Sequence, residues 1–157
     1  MERFRQGMQR LASGVTVVTT SDLDGTRYGI TATAVCSLTA DPPTLVACVN
    51  RGTRVGLALP DTGYFCVNVL AHDQRDVAEV FAGAPGERFG TGSWTRLTTG
   101  APVLEGALAS FDCRTDVIVE RSTHYLVIGA VVDAAVGADG SPLLYHSRRF
   151  AHLERLA

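Results

Sequence analysis

One stretch, residues 27–50, constrains the fold of this chain more than any other. Small and apolar side chains recur at every second position from Tyr28 to Leu38, and hydroxyl side chains fall between them, with Val35 as the break. Because successive side chains of a strand point to opposite faces, this alternation predicts one long strand with an apolar face and a hydroxyl face. The sequence Asp41-Pro42-Pro43 ends that strand, since proline lacks the N–H group that a ladder needs.

A second run, Thr44–Val49, is apolar without alternation and predicts a strand covered on both faces. The polar loop 50–54, Asn-Arg-Gly-Thr-Arg, follows it. A row of hydroxyls beside a loop rich in hydrogen-bond donors suits a flat, phosphorylated ligand. Two simpler interpretations stay open: threonine favours strands in any case, and the loop can be a helix N-terminus capped by Thr53.

The bulk composition excludes several classes of protein. A net charge of −2 leaves no basic footprint for nucleic acid, and no apolar run reaches the ~18–20 residues of a membrane span. The N-terminus lacks the pattern of a signal peptide, so we expect a cytoplasmic protein. The length predicts one domain, 1–157, and an apolar fraction of 46% is consistent with a homodimer.

All fourteen basic residues are arginine. This excludes a Schiff-base lysine and a phosphate-loop lysine, so that any bound phosphate must be held by arginine, hydroxyl or backbone N–H groups. A hydrolase is disfavoured as well, because neither G-x-S-x-G nor HExxH occurs. The four cysteines, each inside an apolar run, are expected to be buried free thiols, and we predict no metal site.

Helices are predicted at 2–12, 53–59 and 72–81, the last with Asp73 as its cap. Strands are predicted at 15–20, 27–39, 44–49, 64–70, 107–120, 123–132 and 142–150, with a brief extended piece at 102–104. Gly129, inside a strand, indicates a bulge or a close approach of the backbone. The glycine-rich segment 82–94 is long enough to predict a functional loop. Without βαβα alternation or a GxGxxG motif, the pattern favours a closed or nearly closed antiparallel Greek-key barrel with short helices at its ends.

Seven segments together resemble the flavin reductase family of split-barrel flavin-binding proteins, which supply reduced flavin to two-component monooxygenases. In chain order they are Phe4-Arg5 through Gly14-Val15-Thr16-Val17-Val18-Thr19, GITATAVCSLTADPPTLVACVNRGTR, FCVNVLA, Phe81…Arg88-Phe89, Phe111-Asp112-Cys113, His124…Ile128-Gly129 and PLLYHSRRF. The match covers nearly the whole chain.

The resemblance implies a mainly β fold, a split antiparallel Greek-key β-barrel, assembled as a homodimer with flavin at the subunit interface. It implies an NAD(P)H:flavin oxidoreductase that uses NADH or NADPH and FMN or FAD, and a flavin-dependent monooxygenase as partner. Such an enzyme needs little acid–base chemistry from the protein, because the two cofactors carry the reaction.

The resemblance also implies roles for particular residues. Those along the isoalloxazine ring would be Thr31, Ala32, Thr33 and Ala34, and those bordering the ring and ribityl chain with backbone groups Cys48, Val49 and Asn50. The phosphate would be held by Thr53 and Arg54. The segment 81–89, with Phe81, Arg88 and Phe89, would close over the flavin. The nicotinamide nucleotide would meet His124, Tyr145, Arg148, Arg149 and Phe150.

His124 is the candidate catalytic residue, but its surroundings depart from the family pattern. The family usually has Gly-Asp-His where this chain has Ser122-Thr123-His124. A carboxylate orients a neighbouring imidazole, and here it is lost. Several alternatives stay open: His124 as a strand-end residue without contacts, Arg148 and Arg149 as an exposed basic pair, a flavoprotein that keeps its flavin and oxidises a substrate directly, and a flavin-binding module without catalysis.

Overall fold

The structure, a computed structural model, describes residues 1–84 and 86–153; Pro85 of the predicted loop lies outside them. The helices are α1 (Glu2–Gln9), α2 (Arg54–Thr62) and α3 (Arg75–Ala82). The strands are β1 (Ser13–Gly14), β2 (Thr16–Ser21), β3 (Arg27–Ala32), β4 (Val35–Ala40), β5 (Pro43–Asn50), β6 (Tyr64–Val69), β7 (Trp94–Arg96), β8 (Pro102–Leu104), β9 (Ala109–Arg121), β10 (His124–Val136), β11 (Leu144–His146) and β12 (Arg149–Ala151).

Seven strands form one sheet in the order β3-β2-β6-β9-β10-β5-β4, and every pairing in it is antiparallel. The two edge strands, β3 and β4, are consecutive in the chain, separated only by Thr33 and Ala34. That separation spans at most about 11 Å, so the two edges must lie close together and the sheet must curl into a barrel. The backbone N–H of Cys48 donates to the Ala34 carbonyl at 2.9 Å at this junction. The predicted mainly β, split-barrel fold is confirmed.

The prediction of one strand over 27–39 is wrong in one respect, because the segment forms two strands, β3 and β4. Before the break, Tyr28, Ile30 and Ala32 pack against the barrel core, as expected. After it, Val35 packs inward, whereas Cys36 and Leu38 are exposed. A shift of one residue in a strand moves every side chain to the other face, and the break at Thr33-Ala34 produces that shift.

Most of the core lies in two clusters of buried side chains, and a third, small cluster holds Cys66, Ala101 and Val103. The barrel interior holds Val18, Leu45, Ala47, Val49, Val55, Leu59, Phe65, Val67, Cys113 and Val127. The second cluster packs α3 against the barrel end and includes Val77, Ala78, Phe81 and Leu104. The bulge predicted at Gly129 is confirmed: the β9–β10 register shifts there, and a Cβ would lie 2.5 Å from the Phe65 ring.

Several boundaries differ from the sequence prediction. α1 ends at Gln9, α2 continues past Pro60 to Thr62, and α3 begins at Arg75, with Gln74 rather than Asp73 at its cap. The predicted strand 142–150 is a hairpin of β11 and β12. Ser147 and Arg148, with φ of 49° and 64°, form its tight turn.

Two burial predictions need correction. β5 buries only one face fully; Thr44, Val46 and Cys48 on the other face are half-buried. Cys66 and Cys113 are buried free thiols as predicted, but Cys36 is exposed and Cys48 half-buried. Both lie on the sheet face away from the barrel core, which sequence alone did not distinguish from the inner face.

Candidate functional site

The loop 50–54 is organised as the N-terminus of α2. The Thr53 hydroxyl accepts a hydrogen bond from the Gly56 N–H at 3.1 Å and donates to the Asn50 carbonyl at 2.7 Å. The Asn50 side chain accepts from the Gly52 N–H at 2.9 Å. Both polar side chains therefore shape the loop itself. The donors left for an anion are the Arg54 guanidinium and the N–H groups of the first helical turn other than that of Gly56.

A cleft of about 500 Å³ lies between this loop, β3 and the segment 81–89. Its charged side chains are Arg27, Arg54, Arg88 and Glu87, so positive charge predominates. The Arg27 guanidinium lies 4.5 Å from the centre of the Phe89 ring. Such a cleft attracts phosphate groups, and the planar guanidinium is suited to hold them.

Arg88 holds the loop over this cleft in place. Its guanidinium donates to three backbone carbonyls, those of Gly29 at 2.8 Å, Phe81 at 3.1 Å and Gly83 at 2.7 Å. β3 and the end of α3 can approach each other closely here because residue 29 is glycine: a Cβ at Gly29 would lie 2.2 Å from the Phe81 ring. The three bonds tie the end of α3 and the loop to β3.

Tyr28 supports the cleft from its other side. The Arg54 guanidinium lies 5.4 Å from the centre of the Tyr28 ring. The Tyr28 hydroxyl donates to the Asp22 carboxylate at 2.7 Å. This hydrogen bond lowers the pKa of Asp22 and raises the pKa of Tyr28. The ionised carboxylate keeps the Tyr28 ring in position, and the ring in turn gives Arg54 a surface to lie against.

Thr31, near the end of β3, and Thr33, just after it, lie beside two further clefts. Thr33, Ala34 and Cys48 line an apolar cleft of about 1110 Å³ along β4, β5 and β10. Thr31 and Thr33 line a smaller cleft of about 390 Å³ together with Tyr145 and Phe150. The Thr31 hydroxyl donates to the Ala78 carbonyl at 2.7 Å, which fixes β3 to α3. Thr33 joins the two clefts.

His124 begins β10 and lies opposite Asn50 of β5. The Thr123 hydroxyl lies 2.9 Å from Nδ1 of His124. The Arg51 N–H donates to the Thr123 carbonyl at 3.0 Å, which joins the β9–β10 turn to the loop 50–54. The His124 imidazole therefore contacts a polar group, the Thr123 hydroxyl. This threonine stands where the family usually has an aspartate.

A comparison with models of protein families identifies the family of the chain that carries these clefts. A model of the flavin reductase like domain matches residues 8–154. The chain belongs to this family.

Individual members of the flavin reductase family are similar to this chain over nearly its full length. An FMN reductase (NADH) RutF from Ancylobacter novellus is 44% identical over 95% of this chain and 83% of its own. BorF, the flavin reductase component of a bacterial two-component tryptophan halogenase, superposes with a TM-score of 0.90, at 32% identity and 99% coverage of both chains. The styrene monooxygenase flavin reductase SMOB of Pseudomonas putida S12 superposes with a TM-score of 0.90, at 26% identity and 99% coverage of both chains.

Most of the predicted flavin residues line the clefts described above, and some of their side chains are buried in the core. Thr53, Arg54, Phe81, Arg88 and Phe89 share the arginine-lined cleft. The β3–β4 junction shares its clefts with Cys48, Tyr145 and Phe150. The side chains of Val49 and Phe81 are fully buried in the two core clusters, so Val49 offers a bound molecule only its backbone.

The residues predicted to meet the nicotinamide nucleotide lie at two separate places within one chain. Tyr145, Arg148, Arg149 and Phe150 share a cleft of about 480 Å³ with Arg75 and Glu79. Among the described residues, His124 lines none of these clefts and lies instead beside Asn50.

Sequence reasoning missed Arg27, Tyr28 and Arg75. No motif marks them, because the aromatic and arginine side chains that they contact lie far away in the sequence. Within residues 1–84 and 86–153, no group of His, Cys, Asp and Glu could hold a metal ion. No helix in the described chain has the length and apolar character needed to span a membrane.

Proposed function

We propose that this protein is a flavin reductase that oxidises NADH, reduces FMN and releases reduced FMN to a partner monooxygenase. The single observation that carries this proposal is the 44% identity over 95% of the chain to an FMN reductase (NADH). The monooxygenase partner is supported by SMOB, which is named as a styrene monooxygenase flavin reductase, and by BorF, which is named as the flavin reductase component of a two-component tryptophan halogenase. A single domain across 1–157 and a cytoplasmic location stay predictions.

The arginine-lined cleft fits the phosphate end of FMN. Arg54 supplies a guanidinium and the first turn of α2 supplies N–H donors, while Thr53 keeps that turn formed. Arg88 holds the segment 81–89 at the cleft edge through its three carbonyl bonds. Thr53 thus contributes through the shape of the loop, and Arg54 through charge.

The ring of the flavin would lie along the β3–β4 junction. Thr33, Ala34 and Cys48 line the apolar cleft there, and Tyr145 and Phe150 face Thr33 from across the smaller cleft. When bound, the two cofactors would supply the hydride transfer themselves. The residues that line these clefts would hold the two rings and keep water away from them.

The apolar cleft also supports the homodimer. Its walls include Val46 and Cys48, which are half-buried, and Val132, which is 40% exposed in the single chain. A second copy laid over this face would cover it and enclose the flavin ring. Light scattering across a range of protein concentrations tests this, and a monomer at all concentrations would contradict it.

The activity is tested by mixing purified protein with NADH or NADPH and with FMN or FAD, and by following absorbance at the nicotinamide band. We expect NADH oxidation that saturates with added FMN. Absence of nicotinamide oxidation in every pairing would contradict the reductase and favour a flavin-binding module. Activity without added flavin, on an organic substrate, would instead indicate a flavoprotein that keeps its cofactor.

A further inference from the structure

The hairpin β11–β12 faces the start of α3 across a cleft of about 480 Å³. The cleft is lined by Arg75, Glu79, Tyr145, Arg148, Arg149 and Phe150. Three guanidinium groups meet one carboxylate, so two positive charges are uncompensated within this cleft. An uncompensated pair of this kind attracts a ligand that carries two negative charges.

Arg75 is held in a defined position. Its guanidinium contacts the Glu79 carboxylate at 2.7 and 2.8 Å, and it lies 5.3 Å from the centre of the Phe150 ring. The Phe150 ring packs edge-on against Tyr145, with centroids 5.3 Å apart. The cluster therefore combines a fixed cation with an aromatic wall.

The hairpin that carries Arg148 and Arg149 is anchored at both ends. β11 pairs with β1, with Tyr145 opposite Ser13. At the turn, the Ser147 N–H donates to the Gln9 carbonyl at 2.8 Å. Anchoring the backbone lowers the entropy lost when the two arginines bind a ligand. Neither arginine forms a salt bridge with another described residue.

This cleft continues into the one beside the β3–β4 junction. Glu79, Tyr145 and Phe150 line both clefts, and Thr31 and Thr33 lie at the far side of the second. A molecule with its ring at Thr33 would thus extend its charged part past Phe150 toward Arg148 and Arg149.

We propose that Arg75, Arg148 and Arg149 form the subsite for the pyrophosphate of the dinucleotide hydride donor, separate from the flavin phosphate subsite at Arg54. This proposal rests on the proposed function. Arg148 and Arg149 bind the two phosphates directly, and Arg75, with Glu79 and Phe150 beside it, closes the cation cluster.

The test compares two hydride donors on the full-length protein with FMN as acceptor. NADH carries the pyrophosphate, whereas 1-benzyl-1,4-dihydronicotinamide carries no phosphate. In R148A/R149A we expect the KM for NADH to rise about tenfold or more, with the KM for the benzyl donor changed less than about twofold. An equal rise for both donors, or an unchanged KM for NADH, would overturn the subsite.

Two variants serve as controls. R96A/R114A removes the same charge from two exposed positions outside every cleft described above, and its KM for NADH should stay unchanged. R148K/R149K keeps the charge, so it should recover part of the lost affinity for NADH.

Binding of ADP-ribose, followed by calorimetry, tests the subsite without any hydride transfer. The unaltered protein should bind it, and R148A/R149A should lose at least about tenfold in affinity. Equal affinity in the two proteins would overturn the proposal. If binding is lost as expected but neither protein reduces any flavin, the subsite stands and the reductase function fails.

Discussion

The Thr123 hydroxyl lies 2.9 Å from Nδ1 of His124, at the position where the family usually places an acid. A hydroxyl can orient the ring, as an acid does, but it carries no charge. The backbone of the same threonine is tied to Arg51. We infer that Thr123 acts as a positioning residue, which sets the direction of the imidazole.

We expect Thr123→Val to lower kcat with NADH and FMN by about threefold to tenfold, because one hydrogen bond that orients the ring is lost. The KM for FMN should stay within about twofold, since Thr123 lies outside the phosphate cleft. Steady-state kinetics measure both constants. Thr123→Ser keeps the hydroxyl and should keep most of the activity; an equal loss in the serine variant would contradict the positioning role.

The double variant Thr53→Ala with Arg54→Ala should raise the KM for FMN far more than the KM for NADH. It removes the cap of α2 and the guanidinium beside it, so both the shape and the charge of the phosphate loop are lost. Initial rates at varied FMN and varied NADH separate the two effects. Equal effects on the two constants would place the flavin phosphate elsewhere.

Arg88→Ala should destabilise the fold by about 2 kcal/mol, because three backbone carbonyls lose a charged donor. Urea unfolding measures the change. Arg88→Lys should recover only part of it, since an ammonium group lacks the planar fork that reaches three acceptors. Arg96→Ala, at an exposed position of β7, is the control and should change stability by less than about 0.5 kcal/mol.

Gly29→Ala should cost about 1–3 kcal/mol through overpacking, because the added Cβ would lie 2.2 Å from the Phe81 ring. Thermal unfolding and urea unfolding both report this loss. Gly14→Ala is the matched control, since a Cβ there meets no atom within 4 Å. If the two variants were equally stable, β3 and α3 would not approach each other as closely as described.

The two buried thiols predict a loss of stability at alkaline pH. Burial and the nearby Asp112 carboxylate raise the pKa of Cys113 from 9.0 to about 12, and burial raises the pKa of Cys66 further. As pH rises, the thiols therefore ionise in the unfolded state before they ionise in the folded state. Their contribution to the free energy of unfolding is complete below about pH 9 and declines as pH rises toward 12. Urea unfolding between pH 8 and pH 10 in Cys113→Ala should show a shallower decline. Cys36→Ser, at an exposed position, should not alter it.

Most of the longer strands, the bulge at Gly129 and the cap at Thr53 were predictable, because each depends on neighbours along the chain. Alternation marks a strand, a glycine inside a strand marks a close approach, and a threonine before a helix accepts an N–H bond. The family resemblance, carried by seven segments in order, supplied the fold and the activity that no single motif would have established.

The break at Thr33-Ala34 was not predictable in the same way. Alternation predicts which side chains share a face of a strand. It does not predict which neighbouring strand will pair with residues 27–32 and which with residues 35–40. β3 pairs with β2 and β4 pairs with β5, at opposite edges of the sheet, so the inward face changes between Ala32 and Val35. The same limit explains why Cys36 was expected to be buried and is exposed.

The sequence by itself determined most of the strands, the polar loop 50–54 and the absence of lysine from any phosphate site, because these follow from side-chain chemistry and local periodicity. Only the tertiary structure decided that the Arg88 guanidinium donates to three backbone carbonyls and that the Tyr28 ring supports Arg54. It also decided that Arg75 shares a cleft with Arg148 and Arg149 of the hairpin. Arg88 and Gly29, Tyr28 and Arg54, and Arg75 and Phe150 are far apart in the chain, and only the folded packing of the helices and strands brings each pair together.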